Sequence, residues 1–106
     1  MNDSQYNFIA DELLLAVEEA IEDSGTDIDY EGVGGLLTLS FKNGTKIIIN
    51  KQAPLHEVWV ATKFNGHHFV YQDEQWIDKR GGDEFWQFIS NAVSVQAEIE
   101  VSLAAN

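Results

Sequence analysis

A chain of 106 residues with no cysteine and a formal charge of −12 is long enough for one core without staples, and it excludes disulfides, thiolate metal sites and a cysteine nucleophile. That acidity also works against nucleic acid and anionic membrane as partners, because both need a positive surface. The start, MNDSQYNFIADELLL, lacks the basic opening and apolar run of a signal peptide, and no segment reaches the roughly 20 apolar residues of a bilayer span. A single soluble, cytoplasmic domain over residues 1–106 is the expectation.

The first element is a helix. Phe8, Ile9, Leu13, Ala16, Val17, Ala20 and Ile21 recur at three- and four-residue spacing, which predicts an amphipathic helix over 4–23, with Asp3 or Ser4 as N-cap and Ser24-Gly25 as its stop. Its charge is unusual: residues 1–41 hold ten Asp/Glu and no Lys or Arg, whereas residues 42–106 hold eight acids and six bases. Asp11, Glu18 and Glu22 share one flank, and Glu12, Glu19 and Asp23 the neighbouring one. Glu18/Glu22 and Glu19/Asp23 are like-charge i,i+4 pairs that each cost about 0.2–0.5 kcal/mol. The acids at the helix end also face the negative pole of its dipole. Breaches of local rules concentrate at functional places.

Asp27, Asp29 and Glu31 alternate with Ile28 and Tyr30, which predicts a short strand with its acids facing solvent. Packed beside the helix end, the two elements would form one acidic ridge. Residues 34–50, GGLLTLSFKNGTKIIIN, read as an antiparallel hairpin turning at Asn43-Gly44. A two-residue turn would mix the apolar sets. A three-residue turn with a Gly44 bulge instead gathers Leu37, Leu39, Phe41, Ile47 and Ile49 on one face, so that register is expected. Pro54 opens a connection into EVWVATKF (57–64), Asn65-Gly66 marks a second hairpin turn into HHFVYQ (67–72), and Asp73-Glu74 a third into QWIDK (75–79). Gly81-Gly82 ends the sheet pattern. A second helix is expected to begin at Asp83, with Phe85, Phe88, Ile89, Ala92 and Val93 on one face, and the tail 98–106 to be frayed or loosely docked. Helix, five or six antiparallel strands, helix is an α+β order, a two-layer sandwich with both helices on one face of the sheet and the other face open to water.

The candidate chemistry sits mainly in the acids. Surface carboxylates attract hard cations through oxygen ligands, but without a closed cage such binding is weak and poorly selective. A calcium loop fails: D-x-D-x-E-G occurs at 27–32, but the twelfth position, which needs a bidentate Glu, is Thr38. His67 and His68 are adjacent on a strand and so point to opposite faces; with His56 they suit structural roles rather than a zinc site. No nucleophile elbow or phosphate loop is present. With Val58 and Val60 turned to the helices, Trp59 falls on the open sheet face with Ile48, Asn50 and Gln52. Trp is over-represented among interface anchors.

The stretch TKIIINKQAPLHEVWVATKFNGHHF (45–69), the start MNDSQYNFIADELLL, the acidic first helix and the GGDEFW opening of the last helix resemble the bacterial members of the frataxin family, across essentially the whole chain. The resemblance implies a frataxin-like fold and a non-enzymatic role in iron–sulfur cluster assembly, as regulator or iron donor. It implies weak binding of Fe2+ or Fe3+, with other divalent or trivalent cations able to substitute, and cysteine desulfurase and the scaffold protein as partners. Carried over residue by residue, it assigns the metal ridge to Glu18, Glu19, Glu22, Asp23, Asp27, Asp29 and Glu31, with Asp3, Asp11 and Glu12 peripheral, and the partner surface to Asn50, Gln52 and Trp59. Two departures stand out: the loop after the first helix is shorter here, and Asn7 replaces a histidine that some relatives carry. A monomer is expected. The alternative reading is a ferroxidase that stores iron in iron-driven oligomers, a chemistry that calls for a two-metal site with His and bridging carboxylates.

Overall fold

The computed structural model describes residues 1–105. Helix α1 (Asp3–Ser24) is followed by strands β1 (Asp29–Val33), β2 (Leu36–Ser40) and β3 (Lys46–Gln52). A 3-10 turn at Ala53–Leu55 leads into β4 (Glu57–Ala61), β5 (Gly66–Gln72), β6 (Gln75–Asp78) and helix α2 (Phe85–Ala97). The six strands form one antiparallel sheet in chain order, β1 to β6, a plain meander.

The hairpin register follows from the apolar alternation. Leu37 pairs with Ile49 and Leu39 with Ile47, and Phe41 accepts from Gly44 N–H across a three-residue loop in which Gly44 takes φ 87°. A positive φ is cheap only for glycine, so Gly44 is what fixes this loop length. Leu37, Leu39, Ile47, Ile49, Val58, Val60 and Phe69 then line one sheet face and join Tyr6, Leu13, Val17, Ile21, Phe85, Ile89 and Val93 of the helices in one core. Each such side chain, fully buried, contributes roughly 1.5–3 kcal/mol. Two helices on one face and water on the other is the sandwich expected from the element order.

Four local expectations shift. The α1 N-cap is Asn2, not Asp3 or Ser4: its side chain accepts from Gln5 N–H while Gln5 reaches back to the Asn2 backbone, a capping box that a Gln three residues on makes favourable. Helix α2 begins at Phe85 rather than Asp83, because the Glu84 carboxylate caps Trp86 N–H and Gln87 N–H. The second hairpin turn lies ahead of Asn65-Gly66, with Gly66 already the first residue of β5. Ala61 pairs with Gly66, and the Thr62 hydroxyl organises a four-residue loop by accepting from Phe64 N–H and Asn65 N–H. The tail is docked rather than loose: Val101 and Leu103 are buried, and Ser94 and Ser90 of α2 each both donate to and accept from their backbones.

Two ties hold the layers in place. The Tyr6 hydroxyl, fully buried on α1, donates to the Glu57 carbonyl of β4 at 2.6 Å. Gln96 on α2, 3% exposed, accepts from Lys63 N–H and donates to Lys46 O and Thr45 Oγ1, binding two hairpin loops at once. No helix among the described residues is long and apolar enough to cross a membrane.

Candidate functional site

The acidic residues come together along one edge of the molecule, where the C-terminal half of α1 runs beside the edge strand β1. Two contacts set that proximity. Tyr30 Oη donates to Glu22 Oε1 at 3.0 Å, a bond that, with the nearby carboxylate charge, pushes the Tyr30 pKa upward. Gly32 lets the Glu18 carboxylate close in: a Cβ there would lie 2.7 Å from Glu18 Oε2. Any other residue at 32 would oblige that carboxylate to shift aside. Gly25 ends α1 in the left-handed conformation at φ 68°. The chain then turns through a shallow hollow lined by Glu22, Thr26, Asp27, Asp29 and Tyr30.

The acids are not equivalent. Lys42 Nζ sits 2.8 Å from Asp27 Oδ2, and that hydrogen bond raises the Lys42 pKa. Lys51 Nζ donates to Asp11 Oδ1 at 2.7 Å, and His56 Nε2 lies 2.7 Å from Asp3 Oδ1. Asp3 and Asp11, already peripheral by position, thus have basic partners. Asp27 belongs to the hollow but shares its carboxylate with Lys42. Glu18, Glu19, Asp29 and Glu31 make no ion pair among the described residues.

β1 also divides the set. Asp29 pairs with Ser40 and Glu31 with Thr38, so both carboxylates project on the open side of the sheet, whereas α1 lies on the other side. Glu18 and Glu22 face β1 around its edge. Glu12 and Glu19 turn the other way, beside Trp76 and Trp86 in the groove towards α2. The ridge is therefore a band wrapped around an edge, not a flat patch. Among the described residues no three Asp, Glu, His or Cys side chains converge closely enough to hold a metal ion. A cation held at this edge would therefore have few direct protein oxygens and no cage.

The open sheet face carries the second set. Asn50 is directly opposite Trp59, and Gln52 opposite Glu57, on neighbouring strands, so the three residues assigned to the partner surface are side by side. His68 faces Trp59 from β5 and stacks on its indole at 4.1 Å and 9°. As strand alternation requires, His67 turns to the helix side, where it packs on Phe88 at 4.4 Å and Nδ1 lies 3.0 Å from Asp78 Oδ2. Burial works to raise the Asp78 pKa, but hydrogen bonds from Arg80 N–H, His67 and Gly81 N–H hold it below the ordinary range. The sequence reading missed Glu57 and Lys79, which join Trp59 in a hydrogen-bonded chain across this face. The only trace in the sequence was the parity that puts Glu57 two residues before Trp59.

A helix, a six-strand meander and a helix, with carboxylates gathered where the first helix meets the edge strand, define a frataxin-type domain. The chain belongs to the frataxin family: the frataxin-like domain model matches residues 1–99. It is 77% identical over 105 residues to the iron–sulfur cluster assembly protein CyaY of Colwellia psychrerythraea, covering 99% of each chain. It is 63% identical over 102 residues to the protein of the same name from Pseudoalteromonas atlantica, covering 96% of this chain and 94% of that one. Among solved structures, frataxin from Psychromonas ingrahamii superposes with a TM-score of 0.92 at 52% identity, covering 98% of this chain and 99% of that one. Trimeric frataxin from the yeast Saccharomyces cerevisiae, complexed with ferrous, does so with a TM-score of 0.68 at 25% identity, covering 92% of this chain and 88% of that one.

Proposed function

We propose that this protein serves iron–sulfur cluster assembly in the cytoplasm as a non-catalytic, iron-binding regulator or donor. It binds Fe2+ or Fe3+ weakly at the acidic edge and engages a cysteine desulfurase and its scaffold protein through that edge and the open sheet face. The carrying observation is the junction of α1 and β1. There Gly32 and Tyr30 bring Glu18 and Glu22 against the edge strand, next to Asp27 and Asp29. Mutual repulsion among these side chains is relieved by a cation, which needs no preformed cage, and weak open coordination suits a protein that must release or sense its ion. The names of the two bacterial relatives and the ferrous complex of the yeast homologue support the same reading. The same negative field steers the molecule towards a basic surface, with on-rates that fall as salt rises, and Trp59, Asn50 and Gln52 supply the uncharged contact.

Titration with Fe(II) under nitrogen, or with Co(II), tests the metal half. Melting temperature should rise, and amide signals of residues 11–31 should shift. Shifts confined to His56, His67 or His68 would contradict the edge site. For the partner half, the rate of cluster assembly on a desulfurase–scaffold pair is followed as this protein is added, with Trp59→Ala as control. Acceleration identifies a donor and slowing a brake; a rate untouched by the protein defeats the reading.

A further inference from the structure

We propose that Glu57 is a positioning residue for Trp59, a buried carboxylate that sets the orientation of the sheet-face indole before a partner arrives. This rests on the reading of that face as a partner surface.

Residues two apart on a strand share a face, so Glu57 projects beside Trp59 on the side open to water. Carboxylates on such a face normally stand out in solvent; Glu57 is 5% exposed. Both of its oxygens are engaged, Oε1 accepting from Trp59 Nε1–H at 2.8 Å and Oε2 from Lys79 Nζ at 2.8 Å. Its backbone carbonyl takes the Tyr6 hydroxyl from the helix side, so the residue is held from both layers. Burial works to raise its pKa, yet the hydrogen bonds from Lys79 and Trp59 keep it lowered, and the carboxylate stays ionised. A strand position selected for stability alone would favour Val or Thr, because a buried charge is repaid only by well-made bonds. On the indole face, His68 is stacked at 4.1 Å. Trp59 is thus gripped at its N–H edge by a carboxylate and on a ring face by an imidazole.

Two consequences follow for a partner. The anchor is already ordered, which spares the roughly two- to tenfold loss of affinity that immobilising a free side chain brings. The indole donor is also occupied, so Trp59 presents only ring surface. Hydrogen bonding at this face passes to the amides of Asn50 and Gln52, and the group received by Trp59 is apolar or a cationic side chain's stem.

The test combines Glu57→Ala, Glu57→Gln and Trp59→Ala, read by the indole N–H resonances in nitrogen-15 NMR and by affinity for a cysteine desulfurase. Glu57→Ala should move the Trp59 indole resonance, leave those of Trp76 and Trp86 in place, and weaken binding two- to tenfold. Glu57→Gln keeps an acceptor oxygen and should restore most of both. In a Trp59→Ala background, Glu57→Ala should have no further effect on binding. A Trp59 resonance that stays put in Glu57→Ala overturns the proposal, as does a loss of binding that persists undiminished without Trp59. Should Glu57→Ala not fold, Lys79→Met loosens the same carboxylate and must move the same resonance; a resonance that stays put there overturns the proposal equally. If Trp59→Ala leaves binding unchanged, the partner reading of this face is what fails, and the positioning role is then decided by the resonance alone.

Discussion

Neutralising one helix acid should make this protein more stable. Glu19 is exposed on α1, three residues before Glu22 and four before Asp23, and the last turn of the helix carries no base. Each like-charged neighbour at these spacings costs about 0.2–0.5 kcal/mol, so Glu19→Gln removes roughly 0.4–1 kcal/mol of repulsion. Gln and Glu have nearly equal helix propensity, and Glu19 makes no ion pair that the change would break. For a domain near 100 residues that gain corresponds to a rise in melting temperature of about 2–5 °C. Thermal unfolding followed by circular dichroism in ~10 mM salt should show it. In ~1 M salt, where the screening length drops from about 30 to about 3 Å, the gain should largely vanish. The variant should also gain less from added Co(II), because the repulsion a cation relieves is already smaller. A lower melting temperature at low salt, or a gain indifferent to salt, would refute the claim that these acids oppose one another.

Asp78→Asn should cost about 1.5–3 kcal/mol at pH 7, since Asn keeps an Oδ1 for Arg80 N–H and Gly81 N–H but removes the charge that strengthens those bonds and puts an NH2 where Oδ2 faces His67. The folded-state pKa of Asp78 is lowered, so its stabilisation is fully present above the ordinary Asp value of about 3.9 and is lost as pH falls through the folded value. Wild-type and variant unfolding curves should therefore converge only in acid below that ordinary value; convergence near neutrality would show that His67, not Asp78, governs the bond. Leu103→Ala should destabilise by about 2 kcal/mol or more, because Leu103 is 4% exposed and closes the core beneath α2. A urea midpoint unchanged by it would mean that the tail is not docked in solution.

Elements were legible where one face of a repeating pattern had to be buried. A one-residue slip in the 34–50 hairpin would have thrown Leu37, Leu39, Ile47 and Ile49 into water, so the register could be read directly. Caps were less legible: Asn2, Asp3 and Ser4 are all good N-caps, and the choice fell to Gln5, whose long side chain completes a box only with Asn2. The docked tail carried a weak signal, the short alternation of Ile99, Val101 and Leu103, of which Val101 and Leu103 are buried, with its backbone satisfied by Ser90 and Ser94 of α2. The two flanks of acids on α1 could be read from spacing. Which acids have basic partners could not, because Lys42, Lys51 and His56 reach Asp27, Asp11 and Asp3 only once the sheet has formed. Glu57 escaped for a similar reason: a carboxylate on an open strand face reads as solvated until Lys79 and Trp59 are seen to close over it.

Every strand in this sheet pairs with the one before or after it in the chain. Hairpins can therefore form one after another, each over a short loop, with no distant segment to await. Such local wiring favours rapid folding, and it leaves to the two terminal helices the burial of the sheet's apolar side. The acidic helix is thus also the cover of the core, and the Tyr6 hydroxyl, reaching β4 from 51 residues away, ties it down.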